Sequence, residues 1–480
     1  MIAMRNRARG VVAAAALLLL QACGGNVYMN EPLDESKLAP IGSGAISTGG
    51  YRFGALRSET SPTSLVAVTF SGGGKRSSAF SYGILKGLRD FPIEIDGRRR
   101  RLLDEVDLIS SVSGGTFTAA YYGLHREKIF TDYERDFLRV DINDYLIGTY
   151  LLPWRWQWIV DPYYGTNDEM ESVYDKLMFH GATYADLEKL GRPMIQINAT
   201  NIARGGIFTF NQTYFDLICS DLERFPLARA VAASNGFPVL FGPITLTNHR
   251  RQCGDRRLAI VEEGLRDPSV DGLPSRRRYL AEQLAAYRDA DRVRYLHLMD
   301  GGIGDNLAVR AVADSLVLLG ETLELRFLGD AAIRIRRFLV IVGDGQAAAD
   351  ESWSQSRTVS SLLQVFSAVS GTQIDRYNFE TLQLAEIEVE RLADKMRKLR
   401  CSRAPVIDGY RCDDVITEVV HFSLSTVADE ATRKRLESIP TGLTLKDEDI
   451  DALVAAGENA VRDSTELKRF RDQIGRPNRP

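Results

Sequence analysis

The stretch SLVAVTFSGGGKRSSAFSYGILKGL, residues 64–88, joins an apolar segment to a helical pattern through three glycines. Residues 65–70 are apolar or β-branched, which is typical of a buried strand. Phe80, Ile84 and Leu88 recur at intervals of four, which predicts a helix that begins just after the glycines. The same order returns in VDLISSVSGGTFTAAYYGL, residues 106–124. Strand, tight turn and helix, twice in succession, predict an α/β fold with a mainly parallel sheet.

The N-terminus has the layout of a secretory signal peptide. Basic residues precede the uninterrupted apolar run VVAAAALLLL, residues 11–20, which is shorter than the roughly 20 residues that a membrane-spanning helix needs. The run ends in LQAC, residues 20–23, which resembles the lipobox of bacterial lipoproteins. This resemblance implies that residues 1–22 are a removed signal peptide and that Cys23 carries the lipid. An ordinary signal peptide with a cysteine near the cut is the alternative.

Lipidated Cys23 would place the protein in the bacterial cell envelope, anchored to a membrane through several acyl chains. No Asp follows the cysteine, which favours the outer membrane, with the protein facing the periplasm. Residues 23–63 are rich in Gly, Ser, Pro and Thr without a lasting periodicity, and they predict a flexible tether between lipid and globule.

Composition excludes several classes of protein. The chain has 480 residues, 44% of them hydrophobic, and a net charge of -4, so it can bury a large core and is predicted to bind no nucleic acid. No spacing of Cys or His suggests a metal site, and no cofactor is indicated. Four cysteines remain after Cys23. Two disulfides between sequence neighbours, Cys219 with Cys253 and Cys401 with Cys412, are one of three connectivities, and four separate thiols are the alternative.

The glycine turn SGGGKRS, residues 71–77, is the first candidate for chemistry. A glycine-rich turn at a helix N-terminus exposes backbone N–H groups that stabilise an anion or oxyanion. Two nucleotide motifs are excluded. A P-loop needs glycine where Thr69 stands and Ser or Thr where Arg76 stands, and a dinucleotide fingerprint needs glycine at Ser77.

The second candidate is Ser113 in SVSGG, residues 111–115. A nucleophile elbow reads G-x-S-x-G, because the sharp turn and the close helix leave little room for side chains. Gly114 and Gly115 suit such a turn, whereas Ser111 stands where the first glycine belongs. By itself this segment is typical of an ordinary serine-glycine turn. The third candidate is Asp300 in MDGGIGDN, residues 299–306, at the end of a predicted strand.

Together, and in this order, GGGKR, SVSGG and DGG resemble the motifs of the bacterial patatin-like phospholipase family, in its lipoprotein branch. INATNIARGGIFTFN and AVAASNGFPVLFGPI extend the resemblance. It implies a three-layer α/β/α domain over residues 64–312. Residues 313–480 are then expected to form a C-terminal α/β extension, largely helical, that packs on the same domain.

The resemblance also implies a Ser-Asp dyad without histidine. Ser113 would be the nucleophile and Asp300 its base. The backbone of Gly72, Gly73 and Gly74 would form the oxyanion hole, with Arg76 supporting the loop. The expected activity is that of a membrane-tethered lipid acyl hydrolase, a serine esterase acting on lipid or acyl-ester substrates. Neither the lipid nor the oligomeric state is indicated.

Three alternatives stay open. An acyltransferase would use the same ester on Ser113, and a non-catalytic envelope lipoprotein would keep the fold to bind lipid or a partner. A Ser-His-Asp triad would need a histidine, and only His421 has the expected chain order, although it lies inside a predicted strand.

The aromatic segment LLPWRWQWIVDPYYG, residues 151–165, suits contact with a membrane or acyl chain and suits a buried core equally well.

Overall fold

A computed structural model describes residues 28–143, 145, 165–238, 241–270, 272–328, 333–346, 357 and 362–474. Its centre is a mixed sheet of eight strands, most of them parallel, flanked by helices. The strands are β1 (Ser64–Phe70), β2 (Val106–Val112), β3 (Met194–Asn201), β4 (Gly206–Thr209), β5 (Ile244–Thr247), β6 (Tyr295–Met299), β7 (Arg337–Asp344) and β8 (Ile416–Ser423). Their order is β8-β7-β1-β2-β3-β6-β5, and β4 pairs with β3 outside this path. The predicted fold class is confirmed.

The α-helices are α1 (Gly74–Asp90), α2 (Gly114–His125), α3 (Ile129–Tyr133), α4 (Thr166–Tyr174), α5 (Tyr184–Leu190), α6 (Gln212–Leu217), α7 (Leu227–Ser234), α8 (Ala259–Leu265), α9 (Arg276–Ala285), α10 (Gly302–Asp305), α11 (Arg310–Leu328), α12 (Leu362–Arg403), α13 (Glu430–Glu437), α14 (Asp447–Asp463) and α15 (Thr465–Ile474). Three two-stranded ribbons lie outside the main sheet: Pro92–Ile95 with Arg98–Arg101, Ser269–Val270 with Leu273–Pro274, and Val406–Ile407 with Tyr410–Arg411.

Both faces of the sheet are buried, which explains why β1 is apolar or β-branched from residue 65 to residue 70. On β1, Val68 and Phe70 belong to the large core cluster, together with Phe80 and Ile84 of α1. Ala67 points the other way, into a smaller cluster that includes residues of α12. The three layers therefore follow from the alternation of side chains along each strand.

The register of the strands brings the second and third sequence motifs together. β2 runs parallel to β3 with Val112 opposite Asn198, whereas β6 runs antiparallel to β3 with Met299 opposite Thr200. The ends of β2 and β6 are therefore two residues apart along the same neighbouring strand. The turns that follow them carry Ser113 and Asp300.

The expectation of a flexible tether up to residue 63 is wrong from residue 28 onward. Leu33, Ile46 and Tyr51 are buried in the main core cluster. The Asn30 amide donates hydrogen bonds to the Ser220 hydroxyl and to a strand carbonyl, both at 2.9 Å. These anchoring residues are too irregularly spaced to produce a periodic pattern, so the turn-rich composition does not reveal that the segment is packed.

Residues beyond 312 contribute to the same sheet, because β7 lies between β1 and β8. The two disulfides join sequence neighbours, Cys219 with Cys253 and Cys401 with Cys412. Of the open alternatives for the cysteines, the structure therefore has the nearest-neighbour pairing. Within the described ranges no helix is both long and apolar enough to cross a membrane.

Candidate active site

Ser113 lies on a sharp turn between β2 and α2. Its backbone angles, φ 46° and ψ -128°, are costly for a residue other than glycine and persist only where neighbouring groups hold them. The Ser113 N–H donates to the Ser234 hydroxyl at 2.9 Å, and the Gly115 N–H donates to the Ser71 carbonyl at 3.1 Å. This geometry is that of a nucleophile elbow, which presents the serine Oγ at the end of the strand.

The two glycines after Ser113 are required by close contacts. A Cβ on Gly114 would lie 2.0 Å from the Gly74 carbonyl oxygen, and a Cβ on Gly115 would lie 2.6 Å from the Phe70 Cβ. The elbow therefore packs directly against the glycine turn, with backbone in contact with backbone and no space for side chains between them.

Ser111, which replaces the first glycine of the elbow pattern, lies at the end of β2 and is fully buried. Its hydroxyl donates to the Gln196 carbonyl on the neighbouring strand at 3.2 Å. The extra hydroxymethyl group is thus accommodated by a hydrogen bond between strands.

The Ser113 hydroxyl donates to Asp300 Oδ2 at 2.7 Å. Both side chains are buried, with exposed fractions of 9% for Ser113 and 6% for Asp300. Asp300 Oδ1 accepts the Gly302 N–H at 2.8 Å, which orients the carboxylate toward the serine. Gly301 lets the chain turn here, because a Cβ on it would lie 2.3 Å from the Asn198 carbonyl oxygen.

Burial raises the pKa of Asp300 from its ordinary value of 3.8 to about 6, against the opposing effect of the hydrogen bonds from Ser113 and Gly302. Desolvation disfavours the charged carboxylate, which makes it a stronger base than an aspartate in water. A base with a pKa nearer to neutrality is better matched to taking a proton from a hydroxyl.

The glycine turn lies against the elbow, since a Cβ on Gly72 would lie 3.2 Å from the Ser113 Cβ. Gly73 and Gly74 have positive φ, 132° and 58°, which only glycine adopts readily. Across the described part of the chain, the N–H groups of these two residues have no hydrogen-bond acceptor. The Gly72 N–H instead donates to the Asn306 carbonyl at 2.9 Å. Gly72 is therefore not a free donor, contrary to the expectation that all three glycines form the oxyanion hole.

Arg76 is buried at the first turn of α1. Its Nε donates to the Gly345 carbonyl, just after β7, and a second guanidinium nitrogen donates to the Ile439 carbonyl, both at 2.8 Å. These contacts fix the loop to two distant parts of the chain. The guanidinium is thus held by backbone carbonyls behind the loop.

All five histidines lie in described ranges, and none is a hydrogen-bond partner of Ser113. His421, the candidate for a triad, has its Nε2 3.4 Å from Asp344 Oδ2. It sits on β8, separated from β2 by two strands. His297 bonds to the Thr245 hydroxyl at 3.0 Å. The geometry therefore offers Ser113 a carboxylate as its direct partner.

Some predicted features lie outside the described residues. These are Cys23, the signal peptide, and the aromatic segment up to residue 164. Within the described ranges, no three His, Cys, Asp or Glu side chains are grouped as metal ligands.

Two supporting residues were missed from the sequence. Ser234 bridges the elbow to β3, because its hydroxyl accepts the Ser113 N–H and donates to the Asn198 carbonyl at 2.6 Å. Asn306 holds the glycine turn through its carbonyl. Ser234 lies within AVAASNGFPVLFGPI and Asn306 ends MDGGIGDN, but nothing in either segment marks these residues as neighbours of Ser113.

Residues 68–313, just over half of the chain, match the family described as Patatin-like phospholipase. The chain belongs to the patatin-like phospholipase family. The matched region begins in β1 and ends just after the start of α11, so it contains the glycine turn, the elbow and the Asp-Gly-Gly turn of this patatin-like domain.

Among solved structures, human GIVD cytosolic phospholipase A2 aligns with 86% of this chain and 63% of its own, at 13% identity and a TM-score of 0.42. The same enzyme in complex with methyl gamma-linolenyl fluorophosphonate aligns with 86% and 60%, at 13% identity and a TM-score of 0.36. This patatin-like protein thus spans about three fifths of the length of those structures. No curated protein matched the sequence.

Proposed function

We propose that this protein is a membrane-tethered lipid acyl hydrolase, of the phospholipase A or lysophospholipase type, that works through a Ser113–Asp300 dyad. The observation that carries the proposal is the 2.7 Å hydrogen bond from the serine hydroxyl to a buried carboxylate, at an elbow, in a domain of the patatin-like phospholipase family. The strained elbow and the raised pKa of Asp300 support it.

In the first half of the reaction, Asp300 takes the hydroxyl proton as Ser113 Oγ attacks the carbonyl carbon of the ester. The carbonyl oxygen becomes an oxyanion, which the N–H groups of Gly73 and Gly74 would hold. The tetrahedral intermediate then collapses, the bond to the leaving alcohol breaks, and Asp300 returns its proton to that alcohol.

In the second half, Asp300 takes a proton from water, which attacks the acyl group on Ser113. Collapse of this second intermediate releases the fatty acid, and the proton returns to Ser113 Oγ. If another alcohol takes the place of water, the same ester is transferred and the enzyme is an acyltransferase. Product analysis distinguishes the two outcomes.

The location is proposed from the sequence near Cys23. Tyr28 lies five positions after Cys23 and packs on Phe225, with ring centroids 5.6 Å apart. Five extended residues span at most about 18 Å. A lipid on Cys23 would therefore hold the folded domain close to the envelope membrane.

The test of the activity is hydrolysis of p-nitrophenyl esters and of phospholipid vesicles by the full chain in detergent. Ser113→Ala and Asp300→Asn should both fall to the background rate. His421→Ala is the matched control and should retain the wild-type rate. Wild-type activity equal to that of Ser113→Ala would end the enzyme proposal, and loss of activity in a folded His421→Ala variant would replace the dyad by a triad.

The test of the tether is growth with labelled palmitate followed by membrane fractionation. The wild type should carry the label and sediment with the outer membrane. Cys23→Ser should carry none. A labelled Cys23→Ser variant, or an unlabelled wild type, would contradict lipidation at Cys23.

A further inference from the structure

The glycine turn is held by a segment far outside the family domain. The Lys75 N–H donates to the Gly442 carbonyl at 2.8 Å, and the Arg76 guanidinium donates to the Ile439 carbonyl at the same distance. Residues 439–442, here called the 439–442 segment, connect α13 to α14. Two of its carbonyls thus bind the two residues that directly follow Gly74.

Gly74 is confined between this segment and the elbow. A Cβ on Gly74 would lie 2.5 Å from the Gly442 carbonyl oxygen and 3.1 Å from the Gly442 nitrogen. On its other side, the Gly74 carbonyl oxygen lies 2.0 Å from the position that a Cβ on Gly114 would take. The Gly74 backbone therefore packs directly against the 439–442 segment on one side and the elbow on the other, with no space for a side chain.

The 439–442 segment also determines which backbone N–H groups of the glycine turn remain without a hydrogen-bond acceptor. A helix N-terminus offers several unpaired N–H groups, and those of Gly73, Gly74 and Lys75 would all be candidates for an oxyanion. The Gly442 carbonyl takes the Lys75 N–H. The Gly72 N–H is taken by Asn306 from the other side. Among the three glycines of this turn, Gly73 and Gly74 are therefore left as donors.

The segment is itself held firmly relative to α1. After four more residues α14 begins, and this helix packs along α1 with backbone-to-backbone contacts at two glycines. A Cβ on Gly83 would lie 2.1 Å from the Val454 carbonyl oxygen, and a Cβ on Gly457 would lie 2.3 Å from the Phe80 carbonyl oxygen. This helix packing therefore anchors the C-terminal side of the loop that contains Gly442.

We propose that the 439–442 segment is a positioning element of the oxyanion hole. It touches no substrate and acts through Gly73 and Gly74, by taking the Lys75 N–H and by confining the Gly74 backbone. The inference rests on the proposed function of Ser113. It implies that the extension beyond residue 313 takes part in transition-state stabilisation.

The test is the insertion of one glycine between Thr441 and Gly442, which displaces the Gly442 carbonyl by up to about 3.8 Å along the chain. The matched control is one glycine inserted between Asp408 and Gly409, at the tip of a ribbon at the opposite end of the sheet. Each full-length variant is titrated to completion with a fluorophosphonate, so that rates are expressed for each active site.

We expect the 441/442 insertion to lower kcat about 10- to 100-fold with little change in KM, because losing one oxyanion donor costs about 10²-fold or more. The inhibition constant of a trifluoromethyl ketone, whose adduct with serine carries an oxyanion, should rise by the same factor. The 408/409 insertion should leave both values unchanged. A merely structural role would lower the number of active sites and leave the constants of each site as they were.

Unchanged kcat and inhibition constant in each active site would overturn the inference, and so would a lower kcat with an unchanged inhibition constant. If the insertion prevents folding, Arg76→Lys replaces it, because a single ammonium cannot reproduce the two-carbonyl contact of the guanidinium. In this variant too, a lower kcat with an inhibition constant raised by the same factor supports the inference. The absence of these two changes overturns it. Failure of the proposed function has a different signature, since wild type and Ser113→Ala would then be equally active.

Discussion

The proposed Ser113–Asp300 dyad predicts how ester hydrolysis depends on pH, because Asp300 is buried. The carboxylate must be ionised to accept the serine proton, and burial raises its pKa to about 6. The rate should therefore rise with pH and level off above neutrality. With a pKa of about 6, roughly a tenth of the molecules are ionised at pH 5 and roughly nine tenths at pH 7, so kcat/KM should increase about tenfold over this range.

The assay is kcat/KM for a p-nitrophenyl ester between pH 4.5 and 8.5, with the change in p-nitrophenol absorbance corrected at each pH. Asp305→Asn is the matched control. Asp305 is a second buried acid five residues away, with a pKa raised by burial to about 7, and its carboxylate accepts the Arg310 N–H at 2.6 Å. Asn retains an acceptor oxygen there, so the acid limb near pH 6 should persist in this variant.

The free energy of unfolding provides an independent test of the raised pKa of Asp300. Between pH 3.8 and about 6 the folded state holds a proton on Asp300 that the unfolded state has lost, so this residue lowers the free energy of unfolding as pH rises through that window. The expected loss is about 3 kcal/mol, at 1.36 kcal/mol for each tenfold change in proton affinity. Urea unfolding of wild type and Asp300→Asn at pH 4 and pH 7 measures it. An acid limb near pH 4, or identical pH dependence of stability in both proteins, would refute the reasoning.

Three further predictions concern the elbow and its surroundings. Gly115→Ala should destabilise the protein by about 1–3 kcal/mol in urea unfolding, because the new Cβ would lie 2.6 Å from the Phe70 Cβ; an unchanged midpoint would show that the elbow has room. Ser111→Gly should lower the free energy of unfolding by about 1 kcal/mol, because the hydrogen bond from the Ser111 hydroxyl is lost, and kcat should stay within about threefold of the wild-type value. A large gain in kcat would mean that Ser111 restricts the flexibility of the elbow. Replacing Cys219 and Cys253 by serine should lower the free energy of unfolding by about 4 kcal/mol, since the disulfide closes a separation of 34 residues, and a change below about 1 kcal/mol would contradict this.

The strand-turn-helix units could be predicted because their signals are local. Val66, Val68 and Phe70 alternate with residues of the opposite face, and the glycines follow directly. Ser113 and Asp300 were candidates because each ends a strand of the expected pattern. What joins them is the register of β2 and β6 on β3, which no local pattern specifies.

The contacts that complete the site could not be predicted, because they join residues far apart in sequence. The Gly442 carbonyl meets the Lys75 N–H across 367 positions, and Asn306 meets Gly72 across 234. The packing of residues 28–63 was also missed, because buried Leu33 and Tyr51 lie in turn-rich sequence without a repeating interval. Such contacts depend on the whole fold.

The activation of Ser113 by Asp300 is tested most directly by the mass of the protein after reaction with an alkyl fluorophosphonate, followed by mapping of the modified peptide. We expect one phosphonyl group, located on Ser113, and a labelling rate that falls at least about 100-fold in Asp300→Asn, because the serine then lacks its base. A label on another residue, or labelling of Asp300→Asn at the wild-type rate, would contradict a dyad in which Asp300 activates Ser113 directly.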